Sequence, residues 1–266
     1  MKEISNDKKM LEYGLNEAYS DIFCFSTKRA GGHSTGNYAS FNCNWYCGDC
    51  MEQVERNTEM LCHMIGIDHK DLIIPRQVHL DRVVDIDSSF LALTPQAQHL
   101  ALEGADTVIT SLRGKCICIS TADCIPVICY DPVQRVVAAI HAGWRGTVKR
   151  IVRTTLQQMA DRYHSRPADI RAVIGPGISL RAFEVGNEVY DAFLQAGFDM
   201  EKIAQKYDKW HIDLWEANRL QLVEAGVDAG HIEVSGICTY YNNETFFSAR
   251  RLGIQSGRIL TGIIMR

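Results

Sequence analysis

Long apolar runs are missing from this sequence. The most apolar stretch, residues 116–130, is interrupted by Ser120, Thr121 and Asp123 and is shorter than the roughly 20 residues a membrane helix needs. Residues 1–19 scatter apolar side chains among Glu3, Asp7, Lys8 and Lys9, which does not read as a secretory signal. No segment is rich in Pro, Gly or Ser, no like-charged block exceeds a few residues, and no internal period recurs, so nothing marks a linker, a charged tail or a repeat array. There is no excess of positive charge: 28 Lys plus Arg stand against 32 Asp plus Glu, a net charge of −4. That balance argues against a surface built to coat nucleic acid or anionic lipid and leaves room only for a local basic pocket. A cytoplasmic protein with neither nucleic-acid nor membrane partners is expected. Its 10 cysteines are then reduced thiols, useful for packing, metal binding or catalysis and not for crosslinks.

What is present is ordinary for a globular chain. The 266 residues are 46% apolar and 23% charged, which excludes disorder, collagen and coiled coil and is ample for a core. Strand-like runs occur at 71–74, 82–86, 107–110, 116–120, 126–130, 135–141, 171–174, 231–239 and 259–265. Helical patterning is clearest over 147–163, where Val148, Ile151, Val152, Leu156 and Met159 share a face. Residues 188–196 and 214–225 pattern likewise, the last stopped by Gly226. Segment 116–130 reads as a hairpin-like partner of 135–141. The expectation is one α+β domain over residues 1–266, with layered mixed sheets covered by helices.

Two strands end in ionisable groups. Cys124 stands between Asp123 and Pro126, where one strand gives way to the next, and His141 precedes Gly143 and Gly146 at the entry to the 147–163 helix. That entry aims unpaired helix N–H groups, together with the planar fork of Arg145, toward an anion beside His141. A buried small thiol and a hydrogen-bonded strand-end histidine account for the same residues without chemistry. A metal site needs a third ligand. His79 is a candidate, but it lies far along the chain, and spacing alone does not establish a site.

Gln77-Val78-His79, Thr121-Ala122-Asp123-Cys124-Ile125-Pro126-Val127, His141-Ala142-Gly143-Trp144-Arg145-Gly146, Ile174-Gly175-Pro176-Gly177-Ile178 and Phe183-Glu184-Val185-Gly186 together resemble the YfiH-like family, also known as polyphenol oxidases or laccase-domain proteins. The resemblance extends from Ser26-Thr27-Lys28-Arg29-Ala30-Gly31-Gly32, through Tyr38-Ala39-Ser40-Phe41-Asn42 and Gly48-Asp49, to Cys238-Thr239 and Phe246-Phe247-Ser248-Ala249-Arg250-Arg251. It implies a single α+β domain, a zinc ion on His79, Cys124 and His141, and purine nucleoside phosphorylase activity on adenosine, inosine, guanosine or methylthioadenosine, with adenosine deamination as a further activity. Two His and one Cys leave zinc's fourth position open, as catalytic zinc requires. The small-molecule partners are then a purine nucleoside and inorganic phosphate. Arg145, Gln77 and Arg250 are the candidate substrate-binding residues, the two arginines for phosphate. Asp123 and Glu184 are candidate general acids. The chain departs from the family pattern at Leu180 and Arg181, at His33 and Asn37, and at Cys43, Cys47 and Cys50, which leaves the preferred nucleoside open.

Other readings compete. Cys43, Cys47 and Cys50 have the C-x-x-x-C-x-x-C spacing of an iron–sulfur ligand set, but Asp49 stands where such enzymes carry an aromatic and no βα repeat follows. His231-Ile232-Glu233 matches half of a deaminase zinc signature without the P-C-x-x-C that completes it. No two of the 9 histidines form the H-x-H pair of a multicopper cluster, so copper in place of zinc would account for a laccase-like side activity. A Cys124 nucleophile with His141 as base would instead give an amide hydrolase; the family resemblance also implies a role in editing peptidoglycan precursors, which such a Cys–His hydrolase or a zinc hydrolase would fit. A module that binds nucleoside or phosphate without turnover is the remaining alternative.

Overall fold

In the strands Ile125–Asp131 and Val136–Ala142 every residue is buried, which requires a sheet covered on both faces. A computed structural model describing residues 9–266 shows how the covering is arranged; the first eight residues, part of the 1–19 segment read as lacking a signal, lie outside the described residues. A six-stranded sheet runs in the order Ile232–Val234, Arg171–Ile174, Ile125–Asp131, Val136–Ala142, Thr107–Thr110, Val83–Asp85. A five-stranded sheet runs Met10–Glu12, Ile22–Thr27, Ile259–Met265, Cys116–Thr121, Leu72–Ile73. Both mix parallel and antiparallel pairs. A small antiparallel sheet of Glu184–Val185, Trp210–Ile212 and Ala204–Lys206 lies apart from them.

Side-chain alternation along the strands builds the layers. Ile117, Ile119 and Ile263 of the five-stranded sheet pack on Ile128, Tyr130, Val137 and Ala139 of the six-stranded sheet, so the two sheets bury their inner faces on each other. The outer face of the six-stranded sheet, with Val127, Cys129, Ala138 and Ile140, is covered by Ile151–Tyr163, Asn187–Gln195 and Leu214–Glu224. Cys116, Cys118, Leu260 and Ile264 on the opposite outer face meet the helix Met51–Ile65. The described residues form a single α+β domain of layered mixed sheets covered by helices, as expected from sequence, and the layers number four. Among the described residues no helix is long and apolar enough to cross a membrane.

Three local expectations change. Segment 116–130 is not one arm of a hairpin: Cys116–Thr121 belongs to the five-stranded sheet, and only Ile125–Asp131 pairs with Val136–Ala142. The chain crosses between the sheets at a corner where Asp123 takes φ +87°. The 147–163 helix is two pieces, Trp144–Val148 and Ile151–Tyr163. They are separated where Arg150 turns to φ +61° and its guanidinium stacks 3.5 Å from the Phe198 ring centroid. The 231–239 strand shrinks to Ile232–Val234 because Gly236, at φ +63°, takes the chain out of extended conformation.

Candidate metal centre and cavity

The inter-sheet corner delivers Cys124, and the alternation that sends Val137 and Ala139 between the sheets sends His141 to the same layer at the strand end. His79 comes from a loop preceding the Val83–Asp85 strand and holds φ +63°, a conformation that costs a non-glycine residue about 1–2 kcal/mol. The donor atoms of His79, Cys124 and His141 lie within 4.8 Å of one another, and this is the only such gathering of three or more His, Cys, Asp or Glu side chains among the described residues. The imidazoles of His79 and His141 meet edge to face, centroids 4.8 Å apart.

Asp106, fully buried, organises two of the three. One carboxylate oxygen accepts the His141 ring Nδ1–H at 2.7 Å, which turns Nε2 toward the other donors. The same carboxylate accepts the backbone N–H groups of His79 at 2.9 Å, Leu80 at 2.8 Å and Val78 at 3.3 Å, holding the strained loop in place. Burial pushes the Asp106 carboxyl upward, but His141 and these amides outweigh it and keep it below its ordinary range. At Cys124 burial likewise opposes ionisation, yet the imidazoles of His141 and His79 bring the thiol down to about 6. The thiolate a metal requires is therefore favoured.

The donor set fits a borderline metal ion such as zinc, and the backbone leaves space for one. A Cβ on Gly143 would stand 3.0 Å from Cys124 Sγ, 3.3 Å from the His79 ring and 3.7 Å from the His141 ring. Glycine here is a matter of room, because its φ is an unstrained −68°.

A cavity of about 210 Å³ opens over the three donors. The Gln77 amide is taken at both ends: Oε1 accepts the Ser120 N–H at 2.7 Å and lies 3.0 Å from the Ser120 hydroxyl, while Nε2 donates to the Ser120 carbonyl at 2.9 Å. Asn44 donates to that hydroxyl and accepts the Tyr46 N–H. Arg145 is exposed over the ring of Trp144 and does not line the cavity. Arg250 is also outside the lining, its guanidinium on the Glu184 carbonyl. Asp123 is spent on structure, accepting the Thr239 hydroxyl and the Arg250 N–H, each at 2.6 Å. Glu184 is paired with Lys209 at 2.7 Å on the surface.

Sequence reasoning passes over Asp106, Asn44, Tyr46, Thr121 and Arg258 as site residues, of which the last four line the cavity. Asp106 leaves one signal, a lone acid between Ala105 and the apolar strand Thr107–Thr110. Of the three cysteines at iron–sulfur spacing, Cys43 is buried under the Met51–Ile65 helix, Cys47 lines the cavity and Cys50 is exposed, so they do not converge. His231 contacts Arg171, and Glu233 accepts the Gly14 N–H.

Residues 23–266 match the family model described as multi-copper polyphenol oxidoreductase laccase. The chain is 49% identical over 268 residues to a purine nucleoside phosphorylase of Bacteroides thetaiotaomicron, covering 100% of this chain and 99% of the relative. It is 43% identical over 245 residues to adenosine deaminase RL5 from an unknown prokaryotic organism, covering 91% and 93%. The crystal structure of YlmD from Geobacillus stearothermophilus superposes with a TM-score of 0.89 at 30% identity, with 98% of each chain covered.

Proposed function

The chain belongs to the multi-copper polyphenol oxidoreductase laccase family and is an enzyme, and from that premise we propose that it is a zinc-dependent purine nucleoside phosphorylase of the cytoplasm. Its substrates on this reading are a purine nucleoside, such as adenosine, inosine, guanosine or methylthioadenosine, and inorganic phosphate. The observation that carries the reading is the convergence of His79, Cys124 and His141 on the floor of a cavity, in a chain so similar to a named phosphorylase.

His79, Cys124 and His141 are the proposed metal ligands. A zinc ion there would supply Lewis-acid stabilisation of negative charge beside an open coordination position. The protein's own part is positional. Asp106 sets the His141 tautomer and the His79 loop, and Gln77 clamps the Ser120 backbone so that the corner carrying Cys124 stays fixed. In phosphorolysis, phosphate attacks the ribose C1′ as the C–N bond loosens and charge accumulates on the base. The wall's prearranged hydrogen bonds need not reorganise during that change. Arg145 and Arg250 stay outside the lining, so on this reading their contribution to phosphate is long-range attraction.

Adenosine deamination is a second reading, favoured by the similarity to adenosine deaminase RL5; it would place water where phosphate enters. Copper in place of zinc on the same donors would account for oxidase side activity. Chromatography of adenosine incubated with zinc-quantified protein, with and without phosphate, tests the assignment. Phosphate-dependent adenine and ribose-1-phosphate are expected. Inosine formed without phosphate would move the protein to the deaminase reading, and neither product would return Cys124 and His141 to the amide-hydrolase reading.

A further inference from the structure

The polar groups lining the cavity divide into those already satisfied and those with capacity to spare. Gln77, Ser120 and Asn44 bond to one another and to the backbone. Thr121 and Arg258 do not follow that pattern. Thr121 is 1% exposed and its hydroxyl has no hydrogen-bond partner among the described residues, an omission that destabilises a finished interior. Arg258 is the one Lys, Arg, Asp or Glu in the lining, and it has no carboxylate partner among the described residues.

The arginine is held in place yet incompletely used. Its Nη1 donates to the Ser256 and Gly257 carbonyls and Nη2 to the Ile254 carbonyl at 2.9 Å, while its backbone N–H donates to Asn42 at 3.0 Å. A guanidinium has five N–H donors, so Nε–H and one Nη2–H remain. Among the described residues they form no bond, and no carboxylate pairs with the guanidinium. Thr121, which pairs with Ile259, lines the same cavity as Arg258. A fixed cation with unused donors and an unused hydroxyl lining one cavity match an oxyanion with several acceptor oxygens.

We propose that Thr121 and Arg258 form a phosphate-binding subsite of the cavity, and that they, in place of Arg145 and Arg250, hold the phosphate. The subsite takes a phosphate dianion, either free inorganic phosphate or the phosphate of a nucleotide ester. Its role as the site of the attacking reactant rests on the phosphorolytic reading above.

The test uses metal-replete enzyme carrying Arg258→Lys, Thr121→Val or Thr121→Ser. Inorganic phosphate and AMP serve as probes in calorimetry, alongside steady-state kinetics in phosphate and determination of metal content. Losing the planar fork should weaken phosphate binding and raise the phosphate KM by about 10- to 100-fold in Arg258→Lys, with metal content unchanged. Thr121→Val should weaken phosphate by about 5- to 10-fold. Its melting temperature should hold or rise, because the deleted hydroxyl has no partner in the free protein; a merely structural threonine would not separate stability from phosphate affinity in this way. Thr121→Ser should restore most of the binding. Unchanged phosphate affinity in folded Arg258→Lys and Thr121→Val would overturn the subsite even if phosphorolysis is observed. If the wild type shows no phosphorolysis, the functional reading fails, and calorimetry still decides the subsite. AMP binding that weakens in Arg258→Lys, without binding of inorganic phosphate, assigns it to a phosphate ester. Binding of neither probe by the wild type overturns it.

Discussion

Replacing Asp106 with Asn probes the link between loop strain, histidine orientation and metal affinity. The carboxylate accepts four N–H groups: the His141 ring and the amides of Val78, His79 and Leu80. An amide of the same shape keeps one acceptor oxygen and turns an NH₂ toward the remaining donors. At least two charge-assisted hydrogen bonds are lost, each worth about 1.5–3 kcal/mol, and the φ +63° conformation of His79 loses its restraint. Destabilisation of at least about 3 kcal/mol is expected, which at about 2–4 °C per kcal/mol for a chain of this size lowers the melting temperature by at least roughly 6–12 °C. Metal affinity should fall about 10- to 100-fold, as it does when a ligand histidine loses its carboxylate. Thermal denaturation of metal-depleted protein reads the first effect, and competition for zinc against a chromophoric chelator reads the second. Asp131→Asn is the control. Asp131 is also fully buried, but it caps the turn at Val133 and Gln134, at the end of its strand remote from Cys124; its loss should cost stability and leave metal affinity alone. Wild-type zinc affinity in folded Asp106→Asn would refute the argument that this carboxylate presets the centre.

Three further outcomes follow from the geometry. Gly143→Ala places a methyl 3.0 Å from Cys124 Sγ and should reduce bound metal at least about tenfold with little loss of fold; metal analysis beside circular dichroism checks this, and a fully loaded variant contradicts the room argument. Ile117→Ala opens a cavity between the two sheets, where Ile117 is fully buried. It should cost about 2–5 kcal/mol in denaturant unfolding, so a change under about 1 kcal/mol would mean that layer is not close-packed. Iodoacetamide mapped by mass spectrometry should label exposed Cys50 at once and Cys124 only after chelation. Rapid labelling of Cys124 in metal-loaded protein would favour the Cys–His nucleophile instead.

Much of the architecture can be read from residue order. The runs 107–110, 171–174 and 259–265 coincide with strands, because continuous β-branched and aliphatic residues leave a doubly covered strand as the economical solution. The Met51–Ile65 helix is absent from the sequence reading although Val54, Leu61, Cys62 and Ile65 give it a buried face and Gly66, at φ +73°, ends it. The Ile22–Thr27 strand is absent from it too; as an inner strand it depends on partners at the opposite end of the chain, in Ile259–Met265.

Residue type and local pattern gave the α+β class, most hydrophobic strands of the two large sheets, and Cys124 and His141 as strand-end ionisable groups, while their grouping with His79 as metal donors came from the family resemblance. Tertiary structure alone decided that 116–121 and 125–131 lie in different sheets, that Asp106 binds both the His79 loop and His141, and that Arg258 and Thr121 face the cavity while Arg145 lies on Trp144. The reason is physical. A side chain's chemistry belongs to its residue, but burial, hydrogen-bond satisfaction and charge neutralisation depend on neighbours brought from distant parts of the chain.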